Sequence, residues 1–325
     1  MRAIIHHTFA EPETVLNVED RPLPKPSAGE VRVKTILSPI HNHDLWTVRG
    51  TYGFVPELPA RAGTEAVGTV DALGDGVEGL RIGQRVVTGG TFGVWAEYFT
   101  AKAAGLIPVP DALSNEAAAQ FVSMPFSAIS LLHTLSLEKD QWMLQNAANG
   151  AVGRMVAQLA TARGIHVVGL VRRQEAVDQL RDQGIMNVVS TSDVAWRDNV
   201  AAITNCAPIV AGVDSVGGSS AGDVLSLLAT NGTLVVFGAM DGSILELSSG
   251  DLIFKQATVK GFWGSTVSRE MDAATKGELF SELTARVSSG AVTLPVSATY
   301  GFDDVCDAVQ ASLTPGRIGK VLLKP

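Results

Sequence analysis

The hydrophobic pattern of residues 119–289 alternates between short apolar runs and longer segments whose apolar residues recur at helical spacing. Short apolar runs predict buried strands, and the longer segments predict amphipathic helices. Beyond a first βαβ unit at 143–173, the predicted strands are 187–190, 209–216, 233–239 and 257–263. The predicted helices are 194–204, 222–229 and 269–289. Because strands and helices alternate, this region is predicted to form a parallel, doubly wound sheet of the α/β class.

Residues 1–118 follow a different pattern. Short strand-like runs, separated by glycine and proline, lie at 3–5, 31–37, 66–72, 85–88 and 95–100. This spacing predicts a compact, mostly β domain rather than further βα units. The tail returns to mixed β character, with predicted strands at 296–300 and 320–324 and a helix at 303–312. We therefore assign 1–118 and 290–325 to one domain and 119–289 to a second.

The first βαβ unit consists of an apolar run, a glycine turn, a helix and a second apolar run at 167–171. Glycine lacks a Cβ atom, so a pyrophosphate can approach the backbone of the turn and the helix can pack closely on its strand. The first turn of a helix also offers N–H groups and the positive end of the helix dipole to a phosphate. The sequence therefore predicts a dinucleotide site at this turn. The predicted contacts are Asn149, Gly150, Ala151, Val152 and Gly153.

The glycine pattern matches the dinucleotide fingerprint G-x-G-x-x-G only in part, because Ala148 stands at its first glycine. An ordinary strand-to-helix turn is the alternative interpretation. The strand pattern before the turn and the helix pattern after it favour the nucleotide site, since the fingerprint is specific only in that context.

The end of the second strand indicates which dinucleotide binds. An NAD site has an acidic residue there that binds the ribose 2′-hydroxyl, whereas an arginine suits a 2′-phosphate. Here Arg172 and Arg173 occupy the strand end, and the first acid is Glu175. Arginine binds phosphate in a bidentate manner and keeps its charge. The sequence therefore predicts NADPH, the alternative being that both arginines only begin a solvated helix.

Composition narrows the class of protein further. With 46% hydrophobic and 18% charged residues the chain can bury a large core, and its net charge of −8 argues against nucleic acid or an anionic membrane as a partner. The two cysteines, Cys206 and Cys306, exclude a disulfide framework and are expected to be small buried residues. The first residues show no secretory leader and no apolar run is long enough to span a bilayer, so a cytoplasmic protein is expected.

Several stretches together resemble the medium-chain dehydrogenase/reductase superfamily. They are Gly-Thr-Tyr-Gly at 50–53 with Pro-Glu-Leu-Pro-Ala at 56–60, Gln-Asn-Ala at 145–147 with the glycines that follow, Val-Gly-Gly at 216–218, Gly-Phe-Trp at 261–263 and Gly-Lys-Val-Leu at 319–322. The resemblance covers nearly the whole chain and is greatest to the zinc-independent, mitochondrial-type trans-2-enoyl thioester reductases. It implies a Rossmann-type NADPH-binding domain at 119–289 and a GroES-like catalytic domain formed by the rest. It also implies a homodimer, paired through the apolar strand near 257–265.

Zinc-dependent members of the superfamily have a different pattern. They carry a ligand cysteine ahead of an aspartate, a Gly-His-Glu sequence and a four-cysteine lobe, whereas this chain has Ile-His-Asn-His-Asp at 40–44 and Gly-Thr-Glu at 63–65. A catalytic zinc takes three protein ligands, and His41 and His43 would point to opposite faces of a strand. We therefore expect no bound metal and ordinary hydrogen bonding for both histidines at a cleft edge. The enoyl reductases more often have Asn-Pro here, so the substrate is left open.

The resemblance implies a reaction in which a hydride adds to the β-carbon of an enoyl thioester and a proton adds to the α-carbon. The negative oxygen formed in between requires a hydrogen-bond donor, and a tyrosine hydroxyl can serve. The resemblance places this role on Tyr52, with Asn42 near the nicotinamide or the substrate. The alternative for Tyr52 is a loop tyrosine that packs on a neighbour.

The resemblance also adds residues to the cofactor site. These are Val216, Gly238, Met240, Phe262, Trp263 and Lys320. Phe262 and Trp263 would flank the cofactor and the acyl pocket, the alternative being core packing at a sheet edge. Lys320 would reach the 2′-phosphate, the alternative being a solitary surface lysine. The cofactor would lie in a crevice between the domains, off the carboxyl ends of the parallel strands.

The predicted function is NADPH-dependent reduction of the C=C bond of a 2-enoyl thioester, either an enoyl-CoA or an enoyl-acyl-carrier protein. Two alternatives stay open. Reduction of a quinone or enone would use a similar cofactor domain. A non-catalytic NADPH-binding protein would keep the fold without the chemistry.

Overall fold

A computed structural model describes residues 1–111, 113–242 and 244–325. Its strands are β1 (Arg2–His6), β2 (Asn17–Asp20), β3 (Glu30–Pro39), β4 (Ala60–Arg61), β5 (Glu65–Leu73), β6 (Arg85–Gly89), β7 (Tyr98–Lys102), β8 (Ile107–Pro108), β9 (Trp142–Gln145), β10 (His166–Val171), β11 (Val188–Ser190), β12 (Ile209–Asp214), β13 (Thr233–Val236), β14 (Thr258–Gly261), β15 (Val296–Gly301) and β16 (Lys320–Lys324). Its α-helices are α1 (Pro12–Val15), α2 (Asn42–Arg49), α3 (Asn115–Ala119), α4 (Ser123–Leu135), α5 (Ala151–Ala162), α6 (Gln174–Arg181), α7 (Trp196–Thr204), α8 (Gly218–Ser226), α9 (Ser249–Lys255), α10 (Gly264–Glu270), α11 (Ala273–Ser288) and α12 (Val305–Leu313). None of the helices in the described ranges is both long and apolar enough to cross a membrane.

The chain divides into two compact units. One consists of Met1–Met124 with Leu294–Pro325, and the other of Pro125–Thr293. The sequence predicts the domain boundaries at 118/119 and 289/290, and the roles assigned to the two domains stay a prediction.

The unit Pro125–Thr293 is built around one parallel sheet. Its strand order is β11-β10-β9-β12-β13-β14, and every neighbouring pair is parallel. The chain starts in the middle at β9, moves outward through β10 and β11, and then returns to the other side of β9 for β12, β13 and β14. Leu144, Val168 and Leu234 are fully buried in its core. The predicted doubly wound α/β sheet is confirmed.

One predicted helix of this unit is divided in the structure. The sequence predicts a single helix at 269–289, but α10 ends at Glu270 and α11 begins at Ala273. Between them, Asp272 accepts a hydrogen bond of 2.9 Å from the Thr275 backbone N–H. An aspartate in this position satisfies an N–H group that lacks a helical partner, so it starts a new helix inside a pattern that looks continuous.

The other unit consists mainly of antiparallel β structure. One sheet has the order β15-β16-β3-β5-β6-β8, with β7 as a further partner of β3, and a smaller sheet has the order β2-β1-β4. The last strand, β16, pairs with β3 and β15, so the tail forms part of this unit. Trp95, Phe99 and Phe302 are fully buried in its core. The mostly β architecture expected from the sequence is confirmed.

The two cysteines lie nearer the surface than predicted. Cys206 is exposed and Cys306 is only partly buried. Cys206 follows Asn205 at the end of α7, where both residues have a positive φ, of 56° and 51° respectively. The helix therefore ends in a left-handed turn, which the apolar character of cysteine does not indicate.

Candidate functional site

The predicted cofactor residues of the parallel-sheet unit lie together at one edge of that sheet. Residues 149–153 follow β9, Arg172 and Arg173 follow β10, Val216 follows β12, Gly238 and Met240 follow β13, and Phe262 and Trp263 follow β14. Because the strands all run in one direction, their carboxyl ends lie along the same edge. The strand order reverses between β9 and β12, which is where an open α/β sheet binds its ligand.

The turn between β9 and α5 has room only for glycine at residue 153. A Cβ atom on Gly153 would lie 2.7 Å from the Ala147 carbonyl oxygen and 2.9 Å from Ala148 Cα. The Gly153 carbonyl accepts a hydrogen bond of 2.7 Å from Gln145 Nε2 at the end of β9. This bond holds the start of the helix against its strand, as the fingerprint requires.

The start of α5 differs from that of other helices in the same unit. Helices α9 and α11 are capped by the side chains of Ser248 and Asp272, whereas α5 follows Gly150, which has no side chain to offer. The N–H groups of Ala151 and Val152 have no acceptor within their own helix. They are therefore suited to bind an anionic group, and the positive end of the helix dipole favours it further.

Ala148, which departs from the fingerprint, is accommodated by a glycine in the neighbouring strand. Ala148 is buried, and a Cβ atom added to Gly169 in β10 would lie 2.7 Å from the Ala148 methyl carbon. Non-bonded carbon atoms prefer a separation of about 3.5–4.0 Å, so the two methyl groups would overlap. The glycine missing from the turn is thus compensated by a glycine in β10.

Asp214, at the end of β12, fixes the backbone on the other side of the switch point. Its buried carboxylate accepts hydrogen bonds from the Asn146 side-chain amide and from the N–H groups of Val216 and Gly217. Asn146 Oδ1 in turn accepts from the Ser215 N–H at 2.7 Å. These bonds join the ends of β9 and β12 and position Val216. Asp214 is absent from the predicted site; an acid directly ahead of Ser-Val-Gly-Gly at a strand end is the signal that indicates it.

Arg172 and Arg173 follow β10, and both are exposed. Helix α6 begins at Gln174 with Arg173 as its N-cap, so the arginines do begin a helix, as the alternative interpretation holds. They nevertheless occupy the strand end that distinguishes a 2′-hydroxyl from a 2′-phosphate, beside the glycine turn of β9. Both guanidinium groups are accessible to an anion at this edge.

The aromatic and apolar members of the predicted cofactor site differ in exposure. Met240 and Trp263 are 55% and 47% exposed, whereas Phe262 is buried and its ring centroid lies 5.7 Å from that of Phe237. Core packing, the alternative interpretation, therefore applies to Phe262 and not to Trp263. Gly238 cannot carry a side chain without a shift, since its Cβ would lie 2.9 Å from the backbone oxygen that follows β12.

The predicted catalytic residues Asn42 and Tyr52 belong to the mostly β unit, where two histidines lie close by. The assumption that His41 and His43 lie on a strand is wrong, because β3 ends before them and α2 begins at Asn42. The His41 N–H donates to Asp44 Oδ2 at 2.9 Å, so a carboxylate caps the helix. The helical turn brings the two imidazole rings together, with centroids 4.9 Å apart, instead of directing them to opposite faces.

His41 and Glu65 form a fully buried pair. His41 Nε2 lies 2.6 Å from Glu65 Oε2, and Glu65 Oε1 accepts hydrogen bonds from the N–H groups of Val122 and Ser123 at 2.6 and 2.9 Å. Burial raises the pKa of Glu65 to about 7 and lowers the pKa of His41 well below its usual value. His41 is therefore neutral, with one proton between Nε2 and Oε2. Its Nδ1 is buried and has no hydrogen-bond partner within the described part of the chain.

His43, Thr64 and Asp44 form a hydrogen-bonded chain. Thr64 Oγ1 lies 2.7 Å from Asp44 Oδ1 and 2.7 Å from His43 Nε2. Because an ionised carboxylate only accepts, Thr64 donates its single hydroxyl proton to Asp44. His43 must then donate from Nε2 to Thr64, which assigns the proton-bearing nitrogen of its ring. The ring of His43 stacks on Tyr52, with centroids 5.7 Å apart and planes inclined by 29°.

Asn42 and Lys320 are placed very differently from each other. Asn42 is exposed in the first turn of α2. Lys320, in β16, is only 9% exposed, and its Nζ donates to the Ile40 carbonyl at 3.4 Å. Its positive charge contributes, after burial, to the lowered pKa of His41. Lys320 is therefore not a surface lysine, and its side chain is directed towards the start of α2.

The histidine Nε2 atoms are both engaged inside this cluster, that of His41 with Glu65 and that of His43 with Thr64. In the ranges that the structure describes, no group of three or more His, Cys, Asp or Glu side chains is arranged to hold a metal ion. The donor set thus differs from the three-ligand arrangement of a catalytic zinc.

Comparison with known proteins finds two matching protein families and several similar proteins. Residues 27–111 match the alcohol dehydrogenase GroES-like domain, and residues 151–277 match the zinc-binding dehydrogenase family. The mitochondrial enoyl-(acyl-carrier-protein) reductase of Xenopus tropicalis is 30% identical over 323 residues, which cover 97% of this chain and 92% of the relative. That of Homo sapiens is 29% identical over 329 residues, 99% of this chain and 88% of the relative. Escherichia coli quinone oxidoreductase, solved in complex with NADPH, is 26% identical, with a TM-score of 0.91 over 100% of each chain.

The two family matches fall in separate units of the structure. The GroES-like match lies within the mostly β unit, and the zinc-binding dehydrogenase match lies within the parallel-sheet unit. The named relatives include both enoyl reductases and a quinone oxidoreductase, and two of them are mitochondrial by name, so the cytoplasmic location expected from the sequence stays a prediction. This chain belongs to the medium-chain dehydrogenase/reductase superfamily and is an oxidoreductase of that superfamily.

Proposed function

We propose that this protein reduces the C=C bond of a 2-enoyl thioester, an enoyl-CoA or an enoyl-acyl-carrier protein, with NADPH as hydride donor. The observation that carries the proposal is the placement of Tyr52, whose ring stacks on His43 in the loop that follows α2. A neutral hydroxyl suits an oxyanion that forms only during the reaction, because it donates a hydrogen bond without carrying charge at rest. The names of the Xenopus tropicalis and Homo sapiens relatives support the same acceptor.

The carboxyl edge of the parallel sheet fits NADPH. Gly153 leaves space that a Cβ atom would fill, and α5 starts without a side-chain cap, so a pyrophosphate would be held by backbone N–H groups. Arg172 and Arg173 would bind the 2′-phosphate. We do not include Lys320 among the residues that bind this phosphate, because its Nζ donates to the Ile40 carbonyl. When bound, NADPH supplies the hydride that adds to the β-carbon.

The residues of the mostly β unit then have separate tasks. Tyr52 donates a hydrogen bond to the thioester oxygen as negative charge develops on it. Stacking on His43 holds the Tyr52 ring, so the donor needs little reorganisation when the charge appears. Asn42, exposed at the start of α2, orients the substrate or the nicotinamide amide.

NADPH oxidation, followed by absorbance, tests the proposal with crotonyl-CoA, with a benzoquinone and with no acceptor. We expect oxidation with crotonyl-CoA well above both controls and butyryl-CoA as the product. Oxidation with the quinone alone would replace the proposal by quinone reduction. Binding of NADPH without turnover in any arm would indicate a non-catalytic NADPH-binding protein.

Reduction of a quinone or enone is the second candidate function. It is favoured by the similarity to Escherichia coli quinone oxidoreductase, with its TM-score of 0.91. It is also favoured by the His-Asn-His sequence at 41–43, where enoyl reductases more often have Asn-Pro. A quinone takes up a hydride and a proton, so the same residues would serve it.

The proposed reaction uses no bound metal. His41 and His43 direct their Nε2 atoms to Glu65 and Thr64, so a metal would have to displace hydrogen bonds of 2.6 and 2.7 Å. We expect full activity after exhaustive chelation and no stoichiometric zinc by elemental analysis. One tightly bound zinc per chain, lost together with activity, would contradict this.

We further propose a homodimer paired through β14. This strand is at the outer end of the parallel sheet, and an open strand edge tends to be paired or covered. Ile253 and Phe254 of the preceding helix, α9, are exposed apolar side chains. Light scattering at micromolar concentration should give twice the chain mass of 34.1 kDa. A monomer at that concentration would contradict the proposal.

A further inference from the structure

The proposed reduction requires a proton at the α-carbon as well as a donor for the oxyanion. The role of Tyr52 as oxyanion donor does not explain the hydrogen-bonded chain of His43, Thr64 and Asp44. We propose that His43 delivers this proton from its Nδ1 atom, and that Thr64 and Asp44 are positioning residues for its ring. The inference rests on the proposed function, since it concerns the second half of the same reaction.

Hydrogen bonds fix the orientation of the His43 ring. Nε2 donates to Thr64 Oγ1 at 2.7 Å, and Thr64 donates to Asp44 Oδ1 at 2.7 Å. The other oxygen of the Asp44 carboxylate accepts from the His41 N–H at 2.9 Å, so this buried carboxylate is held at both oxygens. An imidazole whose one nitrogen is bound to a fixed partner presents the other nitrogen in a fixed direction.

Titratable and charged groups lie close to the ring of His43. Asp44 Oδ1 lies 3.6 Å from His43 Nε2. The side chain of His43 is 18% exposed, so water can return a proton to it. The titratable groups near the ring are Asp44 on the same helix, His41 before the helix, Glu65 on β5 and Tyr52 in the next loop. The charge of Lys320 on β16 lowers the pKa of the neighbouring His41.

Stacking on Tyr52 places two different donors side by side, with ring centroids 5.7 Å apart. In an enoyl thioester, the oxygen that becomes negative and the α-carbon are both bonded to the carbonyl carbon. A hydroxyl for the oxygen and an imidazolium for the carbon therefore match neighbouring atoms of one substrate. This division of tasks leaves Tyr52 protonated throughout the reaction.

The proton step requires no reactant other than the solvent. The N–H bond at His43 Nδ1 breaks, and its electron pair stays on nitrogen as the ring becomes neutral. A C–H bond forms at the α-carbon, and the enolate becomes the saturated thioester. Water then reprotonates Nδ1, while Nε2 keeps its proton towards Thr64.

The variant His43→Asn tests the step, because asparagine can still donate to Thr64 but cannot act as an acid. With crotonyl-CoA we expect kcat to fall about 10²-fold or more, as for loss of a general acid. The dissociation constant of NADPH should not change, and the solvent deuterium isotope effect on kcat should rise because proton transfer becomes rate-limiting. Thr64→Val, which keeps the imidazole and removes its support, should give a smaller loss in the same direction. His133→Asn, at an exposed position of α4, is the matched control and should behave as the unmodified protein.

Two kinetic outcomes would overturn the proposal. His43→Asn could retain more than half of kcat, or it could lose kcat while the solvent isotope effect stays at the value of the unmodified protein. The second outcome would show that His43 supports the structure only. If the unmodified protein reduces a quinone but not crotonyl-CoA, the proposed function fails, and the same isotope measurements with the quinone still test His43.

Nitrogen NMR of protein labelled with ¹⁵N-histidine gives a readout independent of turnover. The His43→Asn spectrum identifies the His43 signals among those of the 6 histidines. We expect the neutral ring of His43 to carry its proton on Nε2. A ring that carries it on Nδ1 would overturn the proposal, whatever the substrate.

Discussion

The two units gather functional groups in different ways. At the carboxyl edge of the parallel sheet, the proposed phosphate contacts are backbone N–H groups at a glycine turn and two exposed arginines. The cluster at the start of α2 consists of mostly buried side chains joined by hydrogen bonds as short as 2.6 Å. A site made of backbone groups tolerates substitution of most of its side chains. At a few of its glycines, however, any Cβ atom would clash. A buried polar cluster depends on every member, because removal of one leaves its partner unsatisfied.

The largest effect is expected at Tyr52, because its substitution should lower kcat while the NADPH site in the other unit is unchanged. Tyr52→Phe keeps the ring and removes only the hydroxyl, and loss of one oxyanion donor costs about 10²–10³ in kcat. We expect a fall of that size with crotonyl-CoA and no change in NADPH affinity, since the hydroxyl acts in the transition state. Tyr98→Phe in β7 is the control and should keep full activity. If Tyr52→Phe retained more than about half of kcat, Asn42, water or a backbone N–H would be the oxyanion partner, and a quinone would become the preferred acceptor.

Glu65→Gln tests how far the buried cluster depends on protonation. The pKa of Glu65 is raised from 4.5 to about 7, so the folded protein binds this proton more tightly than the unfolded chain does. The stabilisation is complete below about pH 4.5 and is lost as the pH rises through about 7, a total of roughly 3 kcal/mol. The free energy of unfolding of the unmodified protein, relative to Glu65→Gln, should therefore fall by about that amount between these limits, measured by urea denaturation.

The lowered pKa of His41 acts in the opposite direction, because it removes stability as the pH falls through the unfolded value of 6.5. His41 is present in both proteins of the Glu65 comparison, so its contribution should largely cancel. Glu57→Gln, in an exposed loop, is the matched control and should show no such dependence. If the difference in stability between the unmodified protein and the Glu65→Gln variant were constant, or moved in favour of the unmodified protein as the pH rises, the burial of an acid would be contradicted.

An intermediate effect is expected at the carboxyl edge of the parallel sheet. The double variant Arg172→Ala and Arg173→Ala removes the charged hydrogen bonding to a 2′-phosphate, and loss of one such bond costs about 1.5–3 kcal/mol. NADPH affinity should fall roughly 10- to 100-fold while NADH affinity stays the same, measured by titration calorimetry. Equal affinities of the unmodified protein for NADPH and NADH would contradict the assignment.

The smallest effect is expected at a side-chain cap that belongs to neither site. Ser248 accepts a hydrogen bond of 3.2 Å from the Asp251 N–H at the start of α9. Ser248→Ala should lower the free energy of unfolding by about 1 kcal/mol and leave NADPH affinity unchanged. A change in NADPH affinity would mean that α9 contributes to the cofactor site. The missing side-chain cap of α5 would then not distinguish a cofactor-binding helix from α9.

Local sequence patterns are sufficient to predict a structural feature when the contacts that form it are between residues close together in the chain. The strand predicted at 320–324 has the bounds of β16, and the glycine turn lies between a strand and a helix as its spacing indicates. The split of the helix at 269–289 escapes the pattern, because Asp272 looks like one more polar residue on a helix surface. The arginine pair is located correctly by sequence, although its ligand stays a prediction.

Contacts between distant residues cannot be derived from spacing alone. His41 and Glu65 are separated by 24 positions, and only the pairing of sheet strands brings the second residue beside the first. Asp214 and Asn146 are 68 positions apart and meet because β12 lies next to β9. The stacked arrangement of His41 and His43 depends on a helix that an aspartate cap starts directly after β3. The sequence therefore supplies the residues of the mostly β cluster without their connections.

The contact between Ala148 and Gly169 constrains the order in which such a sequence can change. Ala148→Gly alone removes a methyl group and leaves a small gap, whereas Gly169→Ala alone creates the 2.7 Å overlap. An alanine can thus move from the turn to the strand only through an intermediate with glycine at both positions. The two substitutions are epistatic, and mutational paths between the two arrangements pass through that one intermediate. Searches that demand glycine at the first fingerprint position will overlook chains that keep the free volume in the adjacent strand.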